Sequence, residues 1–128
     1  MTTMNANAVV WFDLYVDDMD RAVAFYEQVL GQKLEPITDP TGETQMMAFP
    51  SEMAHYGAAG ALVKMESMKP GPGGSQLYFG VDDCADKEAL VTKAGGAVIR
   101  PKFSIGEFGF IMLAQDSEGN IVGFNSMK

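Results

Sequence analysis

The sequence predicts an α+β fold built from two tandem βαβββ units. At 128 residues, the chain has the length of one domain. In each half of the chain, a predicted strand is followed by acidic residues that begin a helix and by a glycine that ends it. A constant offset of 65 residues relates matched positions: Val16-Asp17-Asp18 and Val81-Asp82-Asp83, Gly31 and Gly96, and Pro36 and Pro101. We expect one domain over 1–128, with units at 8–66 and 76–127 and a linker at 67–75.

The first unit begins with an alternating strand at 9–16, whose two faces carry different residues. Asp17 or Asp18 then caps a helix at 19–30, and Gly31 ends it. Two further strands form a hairpin around a Pro and Gly turn, and a fourth strand follows a loop. We place these strands at 33–38, 44–49 and 60–65.

The second unit repeats this order after the Pro/Gly-rich connector at 68–75. A strand at 76–81 precedes a helix at 85–94, which Asp82-Asp83 begins and Gly95-Gly96 ends. Three strands complete the unit at 97–104, 109–115 and 120–126. The two units together predict a curved mixed sheet that encloses a cup and carries its helices on the outer face.

Charge and cysteine content limit the partners of the chain. Seventeen acids and nine bases give a net charge of −8, so we expect neither nucleic acid nor a membrane surface as a partner. The one cysteine, Cys84, cannot form an internal disulfide, and no secretory signal or membrane span is evident. These features favour the cytoplasm. The single histidine, His55, excludes a site that needs two imidazoles within one chain.

Several aromatic and polar residues are predicted to face the inside of the cup. Aromatic rings there suit stacking on a planar ligand or covering a cation, although core packing explains each ring equally well. Asp13 lies in mid-strand, where a buried charge needs a partner, and Lys64 is the expected one. Such a pair is either structural or an acid–base pair. The candidate ligand-binding residues are Trp11, Asp13, Tyr15, Lys64, Gln76, Tyr78 and Asn125.

Four segments together resemble the vicinal oxygen chelate superfamily, which includes glyoxalase I, extradiol dioxygenases and bleomycin-resistance proteins. The second half is most similar to small bacterial proteins related to glyoxalase. The matching segments are LYVDDMDRAVAFYEQVLG at 14–31, GALVKM at 60–65, YFGVDD at 78–83 with AGGAVIRP at 94–101, and DSEGNIVGF at 116–124.

The resemblance implies four metal-ligand positions, at Trp11, Lys64, Gln76 and Gly123. Indole offers no lone pair to a metal, lysine is a cation at neutral pH, and glycine has no side chain. Only Gln76 retains a donor atom, and one amide oxygen cannot hold a divalent ion. We therefore expect no metal and no cofactor.

The leading hypothesis is a metal-free small-molecule-binding protein of the bleomycin-resistance type, with a homodimer that forms two clefts. Its ligand is expected to be planar or cationic. The alternative is a lyase or isomerase related to glyoxalase I, either metal-dependent or using Asp13 and Lys64 as acid and base. A third interpretation is a sensory or interaction module. His55 lies in a loop at 51–59 that either covers the cup or is solvated surface.

Overall fold

A computed structural model describes residues 7–52 and 54–128. The predicted α+β fold with tandem βαβββ units is confirmed. The first unit consists of β1 Trp11–Tyr15, α1 Met19–Leu30, β2 Glu35–Ile37, β3 Gln45–Ala48 and β4 Ala59–Lys64. The second consists of β5 Tyr78–Gly80, α2 Cys84–Lys93, β6 Ala97–Ser104, β7 Phe110–Gln115 and β8 Ile121–Ser126. A short 3₁₀ turn at Gly106–Phe108, which the sequence analysis does not predict, precedes β7.

The strands form two four-stranded sheets with the same topology. Their orders are β1-β4-β3-β2 and β5-β8-β7-β6. β1 runs parallel to β4 and β5 parallel to β8, whereas the other pairs are antiparallel. The sheets are separate and not closed, because β1 and β5 are both edge strands. The single domain over 1–128 and the linker at 67–75 remain predictions from the sequence.

Both helices begin and end through local side-chain and backbone chemistry. Asp18, rather than Asp17, caps α1, and its carboxylate accepts a hydrogen bond from the Arg21 backbone N–H at 3.0 Å. Gly31 ends α1 in the left-handed conformation, at φ 67°. Asp83 caps α2 by accepting a hydrogen bond from the Ala85 backbone N–H at 2.9 Å. No helix in the described part of the chain is both long and apolar enough to cross a membrane.

The first strand is shorter than predicted. Val9 and Val10 are 62% and 61% exposed and lie before β1. β4 begins at Ala59, which is opposite Trp11 in the parallel register, and the Val10 carbonyl, which accepts the Ala59 N–H at 3.3 Å, makes the last contact with it. The alternation at 9–16 therefore predicts the faces of β1 correctly but extends the strand too far.

One core fills the space between the sheets and the helices. The rings of Phe12 and Phe79 have centroids 6.2 Å apart, and Phe79 lies 5.8 Å from Phe124. Tyr26 of α1 contacts both Phe49 and Phe79 in the same cluster. Since both sheets turn one face toward this core, their other faces lie outside it. We call these the first open face, on the sheet of β1, and the second open face, on the sheet of β5.

Candidate ligand-binding site

The first open face carries Trp11, Asp13 and Tyr15, as alternation along β1 predicts. The Trp11 indole Nε1 donates a hydrogen bond to Asp13 Oδ1 at 2.9 Å. Trp11 is 44% exposed and Asp13 is exposed as well. The Asp13 charge therefore remains in contact with water, and the burial penalty expected from the sequence does not arise. Asp13 orients the only tryptophan of the chain.

Lys64 does not join these residues, so the predicted pair with Asp13 is wrong. Tyr15 is in register with Val63, and Lys64 therefore projects to the opposite face. There it borders the acidic residues at 17–20, at the start of α1. The neighbours of Asp13 and Tyr15 in β4 are Ala61 and Val63, which have no donor atom. The position that the resemblance assigned on β4 therefore lies on the wrong face of the sheet.

The second open face carries a tyrosine that lies flat against a glycine. Tyr78 and Gly123 are in register between β5 and β8. A Cβ atom added at Gly123 would clash with Cδ2 and Cε2 of the Tyr78 ring. The Tyr78 hydroxyl accepts a hydrogen bond from Gln76 Nε2 at 2.8 Å. The ring thus occupies the space into which any side chain at position 123 would project.

Asn125 lies on the same face and holds the 3₁₀ turn in place. Its Nδ2 donates to the backbone oxygens of Phe108 at 3.3 Å and Phe110 at 3.0 Å. Phe108 is 69% exposed at the tip of this turn. Asn125 therefore positions one wall of the site.

A mainly apolar cavity of about 890 Å³ lies between the second open face, the 3₁₀ turn and the loop at 56–58. Its size is in the range of small-molecule sites. Sequence reasoning identified Tyr78 and Asn125 in it but missed most of the apolar wall. Phe108, between two glycines in the segment GEFGF at 106–110, was the available signal. The missed residues of this wall include Tyr56, Ile105, Phe108 and Ile111.

A second cavity of about 810 Å³ lies between β1 and the Pro/Gly segment at 68–75. It brings together Asp13, Tyr15 and Gln76, three of the predicted residues. The structure therefore distributes the predicted set over two neighbouring cavities. Phe12 contributes to both.

The loop histidine lies apart from the first cavity. His55 Nε2 is 3.1 Å from a carboxylate oxygen of Glu52, and both side chains are well exposed. The next residue, Tyr56, lines the cavity although it is 99% exposed. The loop thus contributes an aromatic ring to the site rather than an imidazole.

The comparisons with known proteins agree with this geometry. The model of the Glyoxalase/Bleomycin resistance protein/Dioxygenase superfamily matches residues 8–124. The chain belongs to this superfamily. "Putative glyoxylase CFP32" of Mycobacterium tuberculosis (strain CDC 1551 / Oshkosh) is 31% identical over 114 residues, or 88% of this chain. The chain spans 41% of the length of that relative.

Two solved structures of about the same length share the superfamily fold. A glyoxylase/bleomycin resistance protein/dioxygenase domain from Frankia sp. EAN1pec has a TM-score of 0.69 and 20% identity, covering 98% of this chain and 100% of that one. TnmS3, an antibiotic binding protein from Streptomyces sp. CB03234, has a TM-score of 0.65 and 25% identity. That alignment covers 97% of this chain and 98% of TnmS3.

The positions that the superfamily resemblance assigns to a metal do not fit one in this chain. The amide oxygen of Gln76 is the one donor atom that Trp11 and Gln76 offer to a metal. At the fourth position, Gly123, the Tyr78 ring covers the backbone. Within residues 7–52 and 54–128, no three His, Cys, Asp or Glu side chains are grouped to hold a metal ion. The chemistry of the donor set therefore argues against the superfamily's metal site here.

The superfamily turn DSEGN at 116–120 forms a buried polar junction between the units. Glu118, whose side chain is fully buried, accepts hydrogen bonds from the backbone N–H groups of Asp17 at 3.0 Å and Asp18 at 2.9 Å. Its carboxylate also binds Arg21 through Nε at 2.6 Å and Nη2 at 2.9 Å. Burial works to raise the pKa of Glu118, but the hydrogen bonds, chiefly from Arg21, hold it to about 2.

A second contact completes this junction. The Tyr26 hydroxyl of α1 donates to Asp116 Oδ2 at 2.6 Å. Burial raises the pKa of Tyr26 well above its ordinary value, and the charge of Asp116 raises it further. Asn120 Nδ2 donates to the backbone oxygen of Tyr15 at 2.9 Å. Because all these groups have partners and none lines the first cavity, their shifted pKa values reflect structure rather than a catalytic centre.

Proposed function

We propose that this protein binds a small molecule without a metal, in a cleft that includes the cavity on the second open face. The observation that carries the proposal is the Tyr78 ring on Gly123, beside about 890 Å³ of mainly apolar space. A ring in that position replaces a metal ligand with a flat apolar surface. Such a surface suits stacking and offers no donor to a metal.

One structural relative favours binding over catalysis. TnmS3 is described as an antibiotic binding protein, and it matches nearly the whole chain at 25% identity. A small molecule of antibiotic size needs a mainly apolar cleft of several hundred cubic ångströms. The two neighbouring cavities of this chain together provide such a space.

The ligand we propose is planar or cationic. Trp11 and Tyr78 offer exposed aromatic faces for stacking, and the half-buried Tyr15 adds a third ring. Asp13 is exposed beside Trp11, where its charge attracts a cationic group. The net charge of −8 raises the concentration of cations near the protein.

We also propose a homodimer in the cytoplasm, with two clefts lined by both copies. Trp11 and Tyr78 are 44% and 50% exposed on open faces that lie outside the shared core. Val9, Val10 and Phe108 add further exposed apolar area near the first cavity. A second copy would bury this surface and enclose the cavities.

Calorimetric titration of chelator-treated protein tests this function. The probes are 9-aminoacridine, a planar cation, and acridine, its neutral counterpart at mildly alkaline pH. We expect saturable binding of 9-aminoacridine, about tenfold weaker binding after Tyr78→Ala, and weaker binding of the cation after Asp13→Asn. Asp20→Asn, which removes a charge from the first turn of α1, serves as the matched control. The proposal would be overturned if neither probe binds saturably. It would also be overturned if zinc or nickel, titrated into the same protein, binds tightly at one ion per chain.

A glyoxalase-related lyase or isomerase is the second candidate. It is favoured by the 31% identity to "Putative glyoxylase CFP32", of which the chain spans 41%. An acid–base version based on Asp13 and Lys64 is excluded because the two residues project to opposite faces. A glyoxalase I assay with added zinc or nickel decides the metal-dependent version. We expect no turnover above the buffer rate, and metal-dependent turnover would establish the enzyme instead.

A further inference from the structure

The strand register of the second sheet places a cation on the second open face. Arg100 of β6 is opposite Leu113 of β7, which is opposite Gly123 of β8, which is in register with Tyr78. Residues in register on adjacent strands point to the same face, and the register irregularities of β6 lie on either side of Arg100, toward Val98 and toward Phe103. Arg100 therefore shares the face of Tyr78, whose strand is three strand spacings of about 4.8 Å each from β6.

The next row along the strands connects Arg100 to the cavity. Phe103 of β6 is opposite Ile111, and Ile111 is opposite Asn125. Both Ile111 and Asn125 line the first cavity. The Arg100 guanidinium lies over the Phe103 ring, with Cζ 3.5 Å from the ring centroid. Arg100 and Phe103 do not line the cavity themselves, and Phe103 is connected to it through its register neighbour Ile111.

Stacking leaves the hydrogen-bonding capacity of this arginine unused. A guanidinium that rests on a ring face keeps the N–H donors at its rim for a planar oxyanion. Arg100 is exposed, and it makes no ion pair or side-chain hydrogen bond with any residue in 7–52 or 54–128. The Phe103 ring lowers the entropy that a free arginine would lose on binding.

The first open face has the opposite charge at the equivalent place. Glu35 is related to Arg100 by the same offset of 65 residues, and it shares a row with Ala48, Ala61 and Asp13. The row on the first open face therefore has an acidic residue at each end. In the two rows of the second open face, which begin at Arg100 and at Phe103, Arg100 is the one charged residue. The equivalent rows of the two open faces therefore carry charges of opposite sign, and Glu107 of the 3₁₀ turn is the charged residue that lines the first cavity itself.

We propose that the second open face takes a planar, apolar ligand that carries an anionic oxyacid group, and that Arg100 stacked on Phe103 binds this group. The inference rests on the proposed function and narrows its ligand class. The ring system lies in the cavity beside Tyr78, and the carboxylate or sulfonate reaches across β7 to the guanidinium. Arg100 thus acts as a specificity-determining residue.

A matched pair of fluorescent probes separates this inference from the proposed function. The anionic probe is 1-anilinonaphthalene-8-sulfonate, and the neutral probe is N-phenyl-1-naphthylamine, which has the same rings without the sulfonate. Folded protein is titrated with each probe, and sites are assigned by the loss of binding in Tyr78→Ala. We expect about tenfold tighter binding of the anionic probe at low salt. Added salt should reduce this preference.

Three variants test the role of Arg100. Arg100→Met should bring the two affinities together by weakening only the sulfonate probe, and Arg100→Lys should retain part of the preference. Lys93→Met removes an exposed cation from the last turn of α2 and should leave both affinities unchanged. Equal binding of both probes to the wild type, with no effect of Arg100→Met, would overturn this inference and leave the proposed function standing.

Two further results are also decisive. If neither probe binds at a site that includes Tyr78, the inference fails, and the titration with 9-aminoacridine still decides the proposed function. Sedimentation velocity of Arg100→Met should give the same mass as the wild type. Dissociation of a dimer would overturn the inference, because Arg100 would then pair with an acid such as Glu35 in a second copy.

Discussion

The two helix starts of this protein have equivalent sequences but are held in different ways. At α1, Glu118 comes from the other unit, about a hundred positions away in the chain, to accept the N–H groups of Asp17 and Asp18. At α2, Lys102 binds the cap Asp83 at 2.8 Å, and Ser126 Oγ accepts the Cys84 N–H at 3.1 Å. Both partners at α2 belong to the second unit.

This difference shows how a repeated element can acquire a role in assembling the two units. The start of α1 is a contact between units, and its central carboxylate is buried, whereas the start of α2 is stabilised within its own unit. Polar groups that are buried and paired support the fold. By contrast, the exposed polar groups of the open faces, such as Asp13 and Arg100, remain available to a ligand.

The largest effect is expected when the contact between units is removed. Glu118→Ala should lower the free energy of unfolding by about 3 kcal/mol, because two backbone N–H groups and Arg21 lose their buried acceptor. Urea denaturation measures this change. Glu107→Ala, in the exposed 3₁₀ turn of the same unit, is the control. A loss below about 1 kcal/mol would mean that the junction contributes little to stability.

A smaller effect is expected from acid, through the same carboxylate. The pKa of Glu118 is about 2 in the folded chain and 4.5 ordinarily, so the unfolded chain takes up the proton first as the pH falls. The stabilisation is complete above about pH 5 and is lost as the pH falls toward about 2. We expect a loss of about 2 kcal/mol, since the half-exposed Arg21 weakens the interaction.

Urea unfolding of the wild type and Glu118→Gln across this pH range isolates the contribution of Glu118. Hydrogen bonds from Thr44 and Thr41 lower the pKa of Asp39 to about 2. Protonation of Asp39 therefore destabilises the wild type and Glu118→Gln alike as the pH falls. The difference between the two curves should therefore shrink as the pH falls. Parallel curves would assign the acid sensitivity to groups outside the junction.

The smallest effect is expected at α2. Lys102→Met removes the cation whose hydrogen bond is the main cause of the lowered pKa of Asp83. The hydrogen bond from the Ala85 N–H is the second cause. We expect a much smaller loss of stability than for Glu118→Ala, because Asp83 and Lys102 are partly exposed and Asp83 keeps its capping bond to Ala85. Urea denaturation with Lys87→Met as the control measures it. A loss equal to that of Glu118→Ala would remove the distinction between the two helix starts.

Most of the fold was predictable because each element has a local signal. The caps Asp18 and Asp83 and the stop Gly31 were visible in the sequence, and alternation assigned the faces of β1 correctly. The site was predictable only in part. Tyr78 and Asn125 lie on one cavity as expected, but the 3₁₀ turn that carries Phe108 was not predicted, since its position depends on Asn125.

The sequence by itself determined the repeat, the order of strands and helices, the excess of acidic charge and the lack of metal donors, because these depend on residue type and short-range spacing. Only the tertiary structure decided which side chains meet. Lys64 lies apart from Asp13 because the β1 and β4 register places them on opposite faces. Arg100 shares a face with Tyr78 because four strands align them. Strand register depends on contacts between distant segments, which local sequence patterns do not encode.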